Sequence, residues 1–208
     1  MQIIGLPVGM IEGNCYLVSC AKTKEAMVID PGAEGTRILE IIAKNNINVK
    51  YIVNTHGHHD HIGAVKEVKE GTGALILIHS EDAHMLENPT KNLSTFMGRD
   101  SKQPKADKLL KDGDSIQIGE LNFQVIHTPG HTLGGISLYN KEKKACFTGD
   151  TLFLGSIGRT DLPGGSYPTI IKSIKEKLLT LPDDVVVYPG HGPATTIAQE
   201  KRINPFLR

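Results

Sequence analysis

Seven consecutive residues, Thr55-His56-Gly57-His58-His59-Asp60-His61, place four imidazoles and one carboxylate directly after the apolar run Tyr51-Ile52-Val53. Neutral imidazole nitrogen and ionised carboxylate are the protein ligands that borderline ions such as Zn²⁺ and Fe²⁺ take most readily. Water bound to such an ion becomes a nucleophile at neutral pH. Gly57 and Gly63 bracket the cluster, so the backbone can turn sharply after a strand. A helix is then expected to start over Ile62-Gly63-Ala64-Val65, with Asp60 and His61 near its N-terminus.

Alternating strand and helix patterns surround this cluster. Extended segments are expected over residues 2–8, 14–20 and 25–30, then a break at Asp30-Pro31-Gly32, a helix from Gly35 to Asn45 and a buried strand from Val49 to Val53. A helix over Ile62–Glu70 and a buried strand over residues 74–78 continue the α/β alternation. Residues 87–107 are rich in Pro, Asn, Ser and Gly and read as one long loop, a length usually functional or mobile. Strands follow over 115–118, 121–127, 135–139 and 144–148. A helix at Ser166–Leu179, a strand at Val185–Tyr188 and a short helix at Thr195–Arg202 close the chain. No linker or charge block divides the 208 residues, so a single domain over 1–208 is expected.

Three later sites repeat the strand-then-ligand pattern. Phe123 to Ile126 leads to Thr128-Pro129-Gly130-His131, Ala145 to Phe147 leads to Thr148-Gly149-Asp150, and Val185 to Val187 leads to Tyr188-Pro189-Gly190-His191. Pro fixes one dihedral and Gly relaxes the next, which presents the imidazole at the strand's end. One edge of the sheets could therefore collect all seven groups, as ligand sites in open α/β architectures gather beyond strand carboxyl ends.

The ordered set Thr-His-x-His-x-Asp-His, Thr-Pro-Gly-His-Thr, Thr-Gly-Asp-Thr-Leu-Phe and Pro-Gly-His-Gly resembles the metallo-β-lactamase fold hydrolases, and specifically their glyoxalase II-like branch. The resemblance runs from about residue 10 onward. It implies a four-layer αβ/βα sandwich of two mixed sheets packed face to face with helices outside, and a binuclear site. In that site His56, His58 and His131 would hold one metal, and Asp60, His61 and His191 the second, with Asp150 bridging. His59 would be the pattern's variable position, pointing away. The two divalent ions would be zinc, iron or manganese, and a hydroxide shared between them would attack an acyl carbon. Asp60 and Asp150 are the catalytic carboxylates of that scheme. Full-length glyoxalase II enzymes carry a lysine and a tyrosine where Arg159 and Asp161 stand, and a C-terminal helical domain beyond the point at which this sequence ends. These departures leave few groups to grip a tripeptide thiol. Arg159 and Asp161 could instead pair with each other, or Arg159 could face a substrate carboxylate.

Taken singly, a histidine at a strand end is more often packed or solvated than a ligand, and it is the joint pattern that reverses this. His79, His84 and His127 are expected to be structural, solvated or supporting residues. Cys15 and Cys146 lie in apolar runs and read as buried small hydrophobes rather than catalytic thiols. The lysine-rich stretch Ile171–Leu179 reads as a solvated amphipathic surface. Lys plus Arg and Asp plus Glu each total 23, so charge gives no reason to expect a nucleic-acid or anionic-membrane partner. The N-terminus lacks a basic and then apolar leader, and a cytoplasmic location is expected.

The leading function is hydrolysis of a hydroxyacyl thioester of glutathione or another small thiol. A lactonase would use the same seven groups. A mononuclear iron persulfide dioxygenase shares Gly-Arg-Thr-Asp after the bridging aspartate. A catalytically silent metal-binding module is disfavoured by the presence of both Asp60 and Asp150.

Overall fold

The first half of the chain builds one sheet in sequence order: β1 (Gln2–Val8), β2 (Gly13–Ser19), β3 (Glu25–Ile29), β4 (Asn48–Val53), β5 (Leu75–His79) and β6 (Lys108–Leu110). The computed structural model describes residues 1–208. Strands β1 to β3 pair antiparallel, whereas β3 to β6 run parallel, joined on one face by α1 (Gly35–Lys44), α2 (His59–Ile62) and α3 (Val65–Thr72). Between β5 and β6 lie α4 (Ala83–Glu87) and a 3₁₀ turn over Ser94–Met97. The second sheet contains β7 (Ser115–Ile118), β8 (Leu121–His127), β9 (Ile136–Asn140) and β10 (Ala145–Gly149). A small ribbon of β11 (Leu152–Phe153) and β12 (Ser156–Ile157) and helix α5 (Tyr167–Ser173) then precede β13 (Val186–Pro189), which pairs parallel to β10. Strand β14 (Thr195–Thr196) and α6 (Ile197–Ile203) complete the chain.

Three apolar layers hold these parts together. Successive residues of β3 alternate between two of them: Ala26 and Val28 pack toward Ile38 of α1 and Val65 and Val68 of α3, while Met27 and Ile29 face Phe123, Leu138 and Phe147 of the opposite sheet. A strand covered on both faces reads as a continuous apolar run, as Ala26 to Ile29 does. The third layer packs Ile170, Ile174 and Leu178 against Cys146 and Val187. Helices, two mixed sheets and helices therefore form the αβ/βα sandwich, as the motifs imply. No helix is long and apolar enough to cross a membrane.

Several local readings change. The helix expected from Ile62 begins at His59, and Gly63 and Ala64 separate α2 from α3, so Asp60 and His61 lie within a helical turn. At the break the Ala64 N–H leaves the helix ladder for the Pro31 carbonyl at 2.8 Å, and a side chain at Gly63 would strike the Gly32 carbonyl and the His59 ring. The stretch 87–107 is folded rather than open. Buried Asn92 donates to the Met85 and Ser101 carbonyls and accepts from the Ser94 N–H, and its own carbonyl takes the His59 N–H. Strand β6 was hidden in the sequence by its brevity. The helix from Ser166 widens into a π turn over Ile174–Leu178 that keeps Ile174 and Leu178 buried. Within the lysine-rich stretch, Lys177 binds Asp112 and the His127 carbonyl.

Candidate metal centre

Parallel pairing aims the ends of β3, β4 and β5 at one edge, and β8, β10 and β13 end at the same edge from the other sheet. The first sheet delivers residues 30 and 54–61, and the second delivers His131, Asp150 and His191. Backbone bonds sew the halves together: Asn14 N–H donates to the Gly190 carbonyl at 2.7 Å, and Ile136 N–H to the Thr55 carbonyl at 2.9 Å. The Tyr16 hydroxyl and Asn14 amide both reach the Pro189 carbonyl. Gly190 has to be glycine, because a Cβ there would collide with the Asp150 carboxylate and the His61 ring.

All seven residues that the motifs single out meet there. His56, His58 and His131 bring one ring nitrogen each to within 4.8 Å of one another, and Asp60, His61 and His191 form a second such group. Asp150 stands between them: Oδ1 is 3.4 Å from His61 Nε2, and Oδ2 is 3.6 Å from His131 Nε2 and 3.7 Å from His191 Nε2. His59 belongs to neither group, although it is buried and its Nδ1 has no hydrogen-bond partner.

The two groups differ electrically. Burial, together with the neighbouring imidazoles, drives His56 well below its usual pKa and His58 down to about 3, so both rings are neutral donors. Burial also works against charge on His61, but Asp60, Asp150 and Asp30 outweigh it and raise the pKa of that imidazole. His191 is raised in the same way, with its hydrogen bond to Asp60 overcoming burial. Burial opposes the Asp60 charge, yet His61 and His191 hold that carboxyl far below the usual range. The second group thus draws positive charge into an enclosed place.

These donors fit divalent metal ions. His56 Nε2 and Asp150 Oδ1 are buried without hydrogen-bond partners, an arrangement that proteins rarely leave uncompensated. Divalent ions held by these donor groups would give both atoms a partner.

The sequence did not single out two supporting carboxylates. Asp30 accepts from Thr55 N–H and Oγ1 and meets His61 Nδ1 at 3.1 Å, which turns His61 Nε2 toward the centre. Although Asp30, His56 and His61 also converge as a trio, the Asp30 oxygens are already engaged, so its place is behind the centre. Buried Asp82 accepts from Gly57 N–H, Thr132 Oγ1 and Gly134 N–H, joining the His56–His61 loop to the His131 loop. The one available signal was position: Asp30 directly follows an apolar strand, and Asp82 comes three residues after the end of β5. For His131, Nδ1 faces the Arg159 carbonyl at 2.8 Å, which leaves Nε2 pointing inward.

A cavity of about 630 Å³ opens onto this centre. Arg159 lines it, but its guanidinium makes two 2.7 Å bonds to the Asp161 carboxylate, and Asp161 lies outside the lining. Arg159 lowers the Asp161 pKa to about 2. His79 and His127 stack at 4.1 Å away from the metal-capable groups, and His84 is exposed. All three cysteines are free and buried, and burial pushes the Cys146 thiol up to about 12.

The model of the metallo-beta-lactamase superfamily matches residues 8–191. The chain belongs to this superfamily. It is similar to hydroxyacylglutathione hydrolase GloC of Haemophilus influenzae, 42% identical with 100% of this chain and 98% of the relative covered. Among solved structures, BLEG-1 B3 metallo-beta-lactamase superposes with a TM-score of 0.95 at 39% identity, covering 99% of each chain. TTHA1623 in a di-iron-bound form gives 0.88 at 36% identity, covering 98% of this chain and 100% of that one. Superfamily membership and the His/Asp groups make this a metal-dependent hydrolase scaffold.

Proposed function

We propose that the chain is a glyoxalase II-like thioesterase that cleaves hydroxyacyl thioesters of glutathione or another small thiol, with two divalent ions held by His56, His58 and His131 and by Asp60, His61 and His191, and with Asp150 shared. The observation that carries this reading is the position of Asp150, whose Oδ1 is 3.4 Å from His61 and whose Oδ2 is 3.6 Å from His131 and 3.7 Å from His191, at the floor of an open cavity. When bound, the ions would supply a nucleophile at neutral pH and polarise the acyl oxygen. The chain's own residues fix the donors: Asp30 orients His61, the Arg159 carbonyl orients His131, and Asp60 stays ionised beside His191. A thiol leaves readily because its pKa is about 8.5, so a separate general acid is dispensable. The name of the GloC relative supports the thioester class, and the di-iron-bound form of TTHA1623 supports iron as one candidate ion beside zinc and manganese.

Metal analysis of the purified protein, paired with turnover of thioester, lactone, β-lactam and persulfide panels, tests the reading. The expected result is two ions per chain and fastest turnover of a thioester. One iron per chain with oxygen consumed on a persulfide would give the site to a dioxygenase instead. Faster opening of a lactone or β-lactam ring would keep the hydrolase and replace its substrate.

A further inference from the structure

The cavity wall has a chemistry that the metal centre does not explain. Above the His and Asp floor, its upper lining includes Ile11, Phe96, Met97, Phe153 and Leu162, drawn from four separate segments of the chain. Ile11, Phe96 and Met97 are 51%, 77% and 46% exposed, so they do not serve the core. The Phe153 ring stands edge-on to His191 with centroids 6.2 Å apart, which brings the apolar wall down to the centre itself. Arg159 is the one Lys or Arg in the lining, and Asp161 already holds the Nε–Nη2 edge of its guanidinium and balances its charge. A substrate carboxylate entering this wall would meet one side-chain cation already neutralised by Asp161, and apolar surface that offers it no hydrogen bond.

Resting on the thioesterase reading, we propose that the substrates carry an uncharged, apolar arm of roughly four to eight carbons, and that Ile11, Phe96, Met97, Phe153 and Leu162 receive it while the thioester carbonyl sits at the centre. The occupant is a small molecule rather than a protein surface because the patch is concave, within the usual size range of ligand pockets of about 300–1,000 Å³, and continuous with the donor cluster. Exposed apolar side chains grouped around one opening mark a binding site, unlike single scattered ones. The preference against carboxylates follows from the Arg159–Asp161 pair, in which the one arginine of the wall is already neutralised by a neighbouring carboxylate.

Two substrate series test this on the metal-loaded protein: N-acetylcysteamine thioesters with 2-hydroxyacyl chains from three to eight carbons, and lactoyl thioesters of alkylthiols from two to eight carbons. In at least one series kcat/KM should rise about fourfold for each fully buried methylene before levelling off. Lactoylglutathione should fall below the best neutral ester by about tenfold or more. Phe96→Ala combined with Met97→Ser should flatten the chain-length slope, and both positions are exposed enough to change without disturbing the core. In parallel, calorimetric titration with non-hydrolysable thioether analogues reads binding without turnover. Chain-length-dependent binding without hydrolysis would uphold the apolar site and remove the thioesterase reading. Flat slopes in turnover and in binding, or a tenfold preference for the glutathione compounds, would overturn the proposal. So would a concentration-dependent dimer in sedimentation that Phe96→Ala dissociates, since the wall would then belong to a second copy of the chain.

Discussion

The floor and the wall of the cavity are built on opposite principles. On the floor, outer partners set the rings: Asp30 for His61, the Arg159 carbonyl for His131, and Thr55 Oγ1 beside His56 Nδ1. On the wall, the exposed side chains of Ile11, Phe96 and Met97 have no directional partner, and the segment beneath them is pinned by buried Asn92 and Ser94 instead. Chemistry that depends on tenths of an ångström needs the first arrangement. Reception of an apolar arm needs only area, and the second arrangement supplies that with tolerance for shape.

Substitutions can break this contrast or sharpen it. Asp150→Ala removes the group shared by both donor sets, so turnover should fall by about a thousandfold or more, and bound metal should drop in elemental analysis. Near-normal activity would take Asp150 out of the mechanism and the floor would lose its centre. Asp30→Ala leaves every donor in place but frees the His61 ring. Metal affinity or activity should decline by about 10- to 100-fold in a competitive chelator titration. If affinity holds, orientation from behind is not what distinguishes the floor. Asn92→Ala attacks the wall from underneath, stranding buried partners at Met85, Ser94 and Ser101, and should destabilise the protein by about 2 kcal/mol in urea unfolding. The smallest effect is expected for Arg159→Ala. Its partner is exposed, so the melting temperature should move by less than about 2 °C, and kcat/KM for neutral thioesters should stay within about threefold. A loss confined to carboxylate-bearing thiols would instead make Arg159 a recognition group. Because Asp161 titrates down at about 2, the pair's contribution is present above the ordinary carboxylate pKa of about 3.9 and fades only as pH falls toward that lower value. The Arg159 comparison should therefore read the same across ordinary assay pH.

The floor was legible because its residues carry their chemistry in their type and order. Four strand ends with His or Asp after Gly pointed to a metal-binding cluster, and the family that the ordered motifs resemble implied the sandwich that assembles it. Asp30 and Asp82 were harder to see, since their roles depend on partners 25 to 52 positions away in the chain. Asp30 adopts a left-handed backbone at φ 51°, a conformation that Asp tolerates better than most residues and that a composition reading does not flag. The wall was least legible. Phe96 and Met97 sit in a stretch poor in apolar residues, and side-chain hydrogen bonds of Asn92, Ser94 and Gln103 hold that stretch in place. The break after α2 was similarly a matter of tertiary contact, with the Ala64 N–H drawn to the Pro31 carbonyl.

Because the donor atoms are dealt from both sheets, the centre does not exist until residues near position 13 have found those near 190, as the Asn14–Gly190 bond records. Contacts of such sequence separation form slowly, since the loop between them has to close before they stabilise anything. An unfolded chain offers an ion only the local His56–His61 stretch. Ion capture is therefore expected late in folding, as a clasp over halves that have already docked, and the rate at which metal is taken up would time that docking.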